Sequence, residues 1–220
     1  MVRSSGKGKA QGPLPQISRK TDLQVTSLSA QAIILVKGVL SASEAKAVVA
    51  AAERIGFEHQ GSKGPANGEA VRDNGRIALS DKAYAEHLWQ ALGLQPALAG
   101  IMVEGAQACG LNPNIRIYRY EPGQRFNRHY DDSADMGDGL KTAYTLLVYL
   151  SGQEHGMQGG ETVFYSHGKR SKTVASVTPE TGLALLHRHG DDCLLHEGRP
   201  VLAGTKYVLR SDVIFGPTAA

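Results

Sequence analysis

Short apolar runs divided by polar, glycine-rich breaks mark this chain, and their spacing changes partway along. Ala32-Ile33-Ile34-Leu35-Val36 is a compact apolar run that predicts a strand. After it, Ser41 followed by Glu44 forms a capping-box pattern. Ala45, Val48, Val49, Ala52 and Ile55 then recur at helical spacing, and Gly56 stands where a helix would end. Residues 58–69 are polar and glycine-rich and predict a mobile loop. Residues 81–95 predict a second amphipathic helix, with Tyr84, Leu88 and Leu92 as its buried stripe and Ala85 and Trp89 beside it. A weaker helical pattern covers residues 96–110.

From Asn112 the period shortens to two. Ile115–Tyr120 alternates, and Tyr144–Leu150 is β-branched and apolar. Thr162–Tyr165, Thr173–Val177, Gly182–Leu186, Cys193–Leu195 and Tyr207–Leu209 follow as short strands between Gly, Pro, Asp and Asn clusters. Many short strands at close spacing predict a β-barrel or sandwich. Helices first and strands after give an α+β plan. Residues 28–217 are expected to form one domain, with helical support over 28–111 and a β core over 112–217.

Composition adjusts this picture at the N-terminus. Residues 1–27 are rich in Gly, Ser, Lys, Pro and Gln and predict a disordered or loosely attached tail. Arg3, Lys7, Lys9, Arg19 and Lys20 all precede the first acidic residue, Asp22, so much of the formal net charge of +3 sits in that tail. A basic tail does not give the fold a nucleic-acid surface. Two cysteines, Cys109 and Cys193, in 220 residues do not make a disulfide scaffold, and both are expected in the core. No apolar run reaches the ~20 residues needed to cross a bilayer, and no signal-peptide stretch opens the chain. A cytoplasmic, membrane-free protein is therefore expected, and no pattern sets its oligomeric state.

The chemistry begins at His129-Tyr130-Asp131. Alternate residues of a strand share a face, so this pair presents an imidazole and a carboxylate side by side. On its own the pair is better read as an exposed polar strand end, so a third ligand is required. His196, 65 residues after Asp131, supplies a third ligand from a later strand. Two His and one carboxylate make the facial triad of non-haem Fe(II) sites, which leaves three positions open. Structural zinc would close four positions and prefer Cys, which has no suitable spacing here. Lys206 follows His196 by ten residues. A dicarboxylate that chelates iron at one end needs such a cation at the other. Lys206, Val208 and Arg210 fall on one strand face by parity, and two cations on an inward face would require partners.

These segments together resemble a known family. RYEPGQRFNRHYDD (119–132), GGETVF (159–164) and HEGRPVLAGTK (196–206) are similar, in order and spacing, to the prolyl 4-hydroxylase-like branch of the 2-oxoglutarate/Fe(II)-dependent dioxygenases. The resemblance covers about residues 112–216. It implies a double-stranded β-helix (jelly roll) with N-terminal support helices, and Fe(II) held by His129, Asp131 and His196. It implies that Lys206 pairs with the C5 carboxylate of 2-oxoglutarate and that the Tyr120 hydroxyl reaches the same co-substrate. Tyr149 is a further candidate contact, and Arg210 is a rival or helper to Lys206. The implied reaction consumes O2 and 2-oxoglutarate, hydroxylates an aliphatic C–H and releases succinate and CO2, with ascorbate as a candidate reductant. The carboxylate at Asp131 separates the chain from halogenases, where a small residue makes room for halide.

Other features have plainer readings. His155, His167, His187 and His189 are expected in structural or surface roles, although His189, Asp191 and Asp192 lie near enough to His196 to support it. The loops 132–141 and 153–160 are candidates for the barrel mouth or simple hairpin connections. Arg72-Asp73-Asn74-Gly75-Arg76 is either a mouth loop, with Asn74 or Arg76 touching substrate, or a structural turn. Gly159-Gly160 is expected to be a turn. The substrate expected is a prolyl residue of a protein or peptide, or a small molecule such as an amino acid. Two other functions compete: oxidative demethylation of nucleic acid, and a cupin-like protein that binds metal without turnover.

Overall fold

The computed structural model describes residues 13–62, 64, 69–168 and 171–217. The first half runs β1 (Gln24–Ser29), β2 (Ile33–Lys37), α1 (Ala42–Ile55), β3 (Glu58–Gly61), β4 (Asp73–Ser80), α2 (Lys82–Ala91), α3 (Gln95–Leu98), β5 (Met102–Val103) and β6 (Ala106–Leu111). Then come β7 (Asn114–Tyr120), β8 (Phe126–His129), β9 (Asp135–Gly137), β10 (Leu140–Tyr149), β11 (Gln158–Gly159), β12 (Thr162–Tyr165) and β13 (Thr173–Val177). The chain closes with β14 (Ala184–Arg188), β15 (Leu195–Gly198), β16 (Val201–Ala203) and β17 (Lys206–Pro217).

The structure is mostly antiparallel sheet. A large sheet has the order β1-β2-β14-β10-β17-β7-β4-β3, with β5, β6 and β9 joined at its margins. A smaller four-stranded sheet runs β13-β12-β15-β8, and β11 pairs with β16. One face of the large sheet carries the apolar face of the helices. Ala45, Val48, Leu88 and Leu92 pack there with Ile115, Ile117, Leu146, Val148 and Leu209. The other face looks toward the small sheet, where Ile33, Tyr149, Phe164, Leu185 and Val208 form a second, smaller cluster. The architecture agrees with the jelly-roll expectation in its two antiparallel layers.

Both predicted helices form where their caps sit. The Ser41 hydroxyl accepts from Glu44 N, and Glu44 Oε2 accepts in return from Ser41 N at 2.8 Å. Asp81 caps α2 by accepting from Tyr84 N at 2.9 Å. In α1 the buried set is Ala45, Val48, Ala51 and Ala52, whereas Ile55, expected in the stripe, is 40% exposed beside the helix end.

Several expectations need correction. The segment 28–111 is not a helical support alone, since β2 to β6 lie within it. The polar stretch after α1 begins as β3, whose backbone pairs with β4 from Glu58↔Arg76 to Gly61↔Asp73. Ladder bonds to a neighbouring strand outweigh a composition that favours loops. Residues 63 and 65–68 of that stretch lie outside the described residues. The weak third helix is only Gln95–Leu98, and β5 and β6 replace the rest, because β6 extends the sheet along β17. Arg72–Arg76 is not a turn: Asp73 onward is strand β4.

The tail is also anchored over its described part. Leu14 and Ile17 are buried, Ile17 N donates to His87 Nε2 at 2.8 Å, and the Tyr84 hydroxyl donates to the Pro15 carbonyl. Two apolar residues three apart suffice to fix the strap on α2, a signal too sparse for composition to register. Residues 1–12 of the expected tail lie outside the described residues. Of the cysteines, Cys193 is buried as expected, but Cys109 is exposed on β6. Among the described residues no helix is long and apolar enough to cross a membrane.

Candidate active site

The triad residues arrive from three places on the inner wall. His129 ends β8, Asp131 follows just beyond it, and His196 lies on β15, directly opposite His129 in the β8–β15 register. His129 Nε2 stands 3.7 Å from Asp131 Oδ1, and His196 Nε2 stands 3.6 Å from Asp131 Oδ2. The Nδ1–H of His129 donates to the Asn127 carbonyl at 2.8 Å, and that of His196 to the Leu194 carbonyl at 2.9 Å. Each backbone carbonyl thereby fixes a proton on Nδ1, so that Nε2 faces the carboxylate and offers its lone pair to a metal when the ring is neutral. An ion with bonds of about 2.1 Å reaches donors up to about 4.2 Å apart, and both imidazole–carboxylate separations fall within that reach. The donor chemistry, two imidazoles and one carboxylate, suits non-haem Fe(II).

Aromatic rings fix the imidazoles in place. Phe126 stacks on His129 at 3.6 Å between centroids, and Phe164 lies over His196 at 5.5 Å. Burial by itself would raise the Asp131 carboxyl, but the Arg210 guanidinium and the neighbouring imidazoles outweigh it and hold the group well below the usual carboxylate range. Arg210 reaches both oxygens at 3.1 Å. Desolvation depresses His129 to about 3. Desolvation also opposes charge on His196, yet hydrogen bonding to Asp131 prevails and raises it to about 9.

A relay of hydroxyls holds Asp131 from behind. Thr145 Oγ1 donates to Asp131 Oδ2 at 2.8 Å and lies 3.1 Å from His189 Nδ1. Since the Thr145 proton is committed to the carboxylate, His189 donates to Thr145 through Nδ1, and its Nε2 accepts from Thr142 at 3.1 Å. Asp131 N also donates to Cys193 Sγ, and Gly190 N donates to the Asp131 carbonyl. The stretch between β14 and β15 therefore positions a ligand of another strand. His189 supports the site as expected, whereas Asp192 turns outward to Arg188.

The inner cavity, about 50 Å³, lies between the two sheets and is lined by Tyr120, Thr162, Lys206 and Arg210 as well as the triad. Parity holds on β17: Lys206, Val208 and Arg210 all face inward. Lys206 is 5% exposed, donates to the Gly160 carbonyl at 2.6 Å and forms no ion pair among the described residues. Burial brings it down to about 8. Its ammonium lies 5.5 Å from the ring centroids of both Tyr120 and Tyr149. Gly160 has φ +72°, and a Cβ there would come within 3.1 Å of Lys206 Cδ, so the expected turn also clears the path of the lysine. Tyr149 does not line the cavity; its hydroxyl meets Thr162 Oγ1 at 2.7 Å. Arg210 is committed to Asp131 and Asp212, which leaves Lys206 as the cation without a carboxylate.

His187 was missed. It is 1% exposed, its Nε2 is 3.7 Å from Asp131 Oδ2, and that nitrogen has no hydrogen-bond partner. The available signal was parity: Leu183, Leu185 and His187 alternate onto the inner face. His155 is exposed beside Glu154. Of the 132–141 loop, Asp132 alone reaches the groove outside the triad, together with Arg72 and Arg76. Asn74 is buried and bonds the Gly75 carbonyl instead.

Residues 115–211 match the family model described as the 2OG-Fe(II) oxygenase superfamily. Prolyl 4-hydroxylase 2 of Arabidopsis thaliana is 29% identical over 166 residues, covering 63% of this chain and 54% of the relative. The chain thus spans about half the length of that relative. Among solved structures, the viral collagen prolyl hydroxylase of Paramecium Bursaria Chlorella virus-1, in its 2OG complex, aligns with a TM-score of 0.57 at 21% identity, over 85% of this chain and 97% of that one. A Trichoplax adhaerens prolyl hydroxylase in complex with a hypoxia inducible factor peptide fragment aligns with a TM-score of 0.57 at 15% identity, over 84% of each chain. At these identities the structural matches establish the fold.

Proposed function

We propose that this chain, whose residues 115–211 belong to the 2OG-Fe(II) oxygenase superfamily in its prolyl 4-hydroxylase-like branch, is an Fe(II)- and 2-oxoglutarate-dependent dioxygenase. It hydroxylates an aliphatic C–H of a prolyl residue or a related amino-acid or small-molecule substrate. We read the fold as a double-stranded β-helix buttressed by α1 and α2. The observation that carries the reading is a triad with both Nε2 atoms aimed at one carboxylate, on the same inner wall as a buried lysine that has no carboxylate of its own. The peptide complex of the Trichoplax neighbour and the name of the Arabidopsis relative favour a prolyl substrate.

Bound Fe(II) would supply the open coordination positions at which 2-oxoglutarate and O2 react. His129, Asp131 and His196 would hold it. Lys206 exchanges the Gly160 carbonyl for the C5 carboxylate of 2-oxoglutarate, a charge-assisted bond in a dry pocket. Tyr120 lines the path of the same molecule, and Tyr149 acts through Thr162. Arg210 keeps Asp131 ionised and fixed, so the ligand set is assembled before metal arrives. Phe126 and Phe164 exclude water from the imidazole faces.

The test is turnover of purified protein with Fe(II), ascorbate and 2-oxoglutarate, with and without prolyl peptides, measuring succinate. Succinate formation that His129→Ala abolishes is the expected result. Iron binding without any succinate, in every mixture, would favour a metal-binding sensor instead.

A further inference from the structure

Outside the triad lies a groove of about 790 Å³ that shares Tyr118, Phe126, His129, Asp131 and Arg210 with the inner cavity. Its wall also carries Arg72, Arg76, Arg116 and Arg128. Two of these are occupied: Arg116 pairs with Asp212, and Arg128 lies over the Tyr165 ring with Glu197 at 3.9 Å. The other two form no ion pair among the described residues. Arg72 rests on Phe126 at 3.9 Å, and that ring in turn covers His129. Arg76 projects from β4 with its Nε–H buried and without an acceptor. Glu69 and Asp132 line the same groove.

Unpaired buried donors are rare in folded proteins because each forfeits its hydration. Here they gather at one place. Among the described residues five buried side-chain atoms lack a partner, and four of them belong to Arg76, Arg116, His187 and Arg210, which line these two cavities. Three of the four are guanidinium N–H donors, so the missing partners are acceptors.

The 2-oxoglutarate carboxylate does not account for them. Lys206 and Arg210 are four residues apart on β17, roughly 13 Å along the strand. Across the sheet, the β17–β7–β4 register aligns Val208, Tyr118 and Arg76, and sets Arg116 opposite Arg210. Arg72, Arg76 and Arg116 line the outer groove, which Lys206 does not reach, and none of the three lines the inner cavity that holds Lys206. We propose that the substrate carries a carboxylate close to the carbon that is hydroxylated, and that Arg72 and Arg76 bind it at the mouth. This rests on the oxygenase reading and narrows its substrate class. A guanidinium fork suits carboxylate and phosphate alike, but the groove has the size of a small-molecule site. Tyr130 is the exposed aromatic among its lining residues, which gives no stacking track for a nucleic-acid strand.

The experiment compares acids with their neutral amides. L-Proline and L-prolinamide, N-acetyl-L-proline and its amide, and acetyl-Glu-Pro-Glu-amide and acetyl-Gln-Pro-Gln-amide are titrated calorimetrically, together with a single-stranded oligonucleotide. Both metal-free protein and the anaerobic Fe(II)–2-oxoglutarate complex are used. The first two pairs test a free α-carboxylate and the third a side-chain carboxylate of a peptide. At least one acid binds ten-fold or more tighter than its amide. The preference disappears in Arg76→Gln and Arg72→Gln and survives in Arg76→Lys, with all variants folded by circular dichroism. The proposal is overturned if no acid binds better than its amide, if the preference persists in Arg76→Gln and Arg72→Gln, or if the oligonucleotide alone binds. Should 2-oxoglutarate fail to bind the iron-loaded protein while the acid preference holds in metal-free protein, the oxygenase reading falls and the anion site stands.

Discussion

Strand β17 has two faces with opposite duties. Leu209 and Val213 pack outward into the helix-backed core, and their replacement partners would be other apolar groups. Lys206, buried, and Arg210, partly buried, face inward, and each needs a specific polar partner. The same contrast divides β10, where Leu146 and Val148 face the helices and Thr145 holds Asp131. The outer face sustains the fold through apolar area, which tolerates exchange. The inner face spends stability on charges that serve only when a metal and a dicarboxylate arrive.

Mutations on each face should separate these duties. On the inner face, His196→Ala lowers 2-oxoglutarate turnover by at least ~1,000-fold, or about 4 kcal/mol of barrier, while the far-ultraviolet dichroism stays that of wild type. On the outer face, Leu209→Ala lowers unfolding stability in urea by about 3 kcal/mol. It leaves iron affinity of the folded fraction unchanged, and a lost iron site in that variant would break the division.

Lys206 sharpens the comparison through pH. Its folded value, about 8, lies below the ordinary 10.5 because burial disfavours its charge. Between these values the unfolded chain holds a proton that the folded chain has released. The contribution of Lys206 to stability therefore rises with pH across this window, at up to about 1.4 kcal/mol per unit. 2-Oxoglutarate needs the charged form, so its affinity falls as pH climbs above about 8. Lys206→Met flattens both profiles, as titrations by calorimetry and urea melts can show. The smallest effect is expected at Glu44→Ala, which removes the α1 cap and the link to Lys20. It costs about 1 kcal/mol in urea melts and leaves the inner face intact.

Much of the inner face was readable because a strand has only two sides. Once His129 and Asp131 were placed on one side, parity put Lys206, Val208 and Arg210 together, and the structure agrees. The capping box at Ser41 located α1, and the stripe of Tyr84, Leu88 and Leu92 located α2, for a similar local reason. What local patterns could not reveal depended on distant partners. Strand β3 exists because β4 pairs with it, and the strap at Leu14 and Ile17 because α2 offers a surface. His187 was expected in a structural or surface role because His187-Arg188-His189 puts two imidazoles on one side of a strand, and sequence alone does not say which side faces the triad. Arg210 looked like a second anchor for 2-oxoglutarate until its position on Asp131 was known.

The central claim is that the inner wall holds iron and 2-oxoglutarate together. Its most direct test is anaerobic addition of Fe(II) and then 2-oxoglutarate to the wild-type protein, followed by visible absorption. The account predicts a charge-transfer band that is absent in His129→Ala and that needs at least about ten-fold more 2-oxoglutarate in Lys206→Ala, the loss of one charge-assisted bond. A protein that binds Fe(II) but shows no band at any 2-oxoglutarate concentration would contradict it.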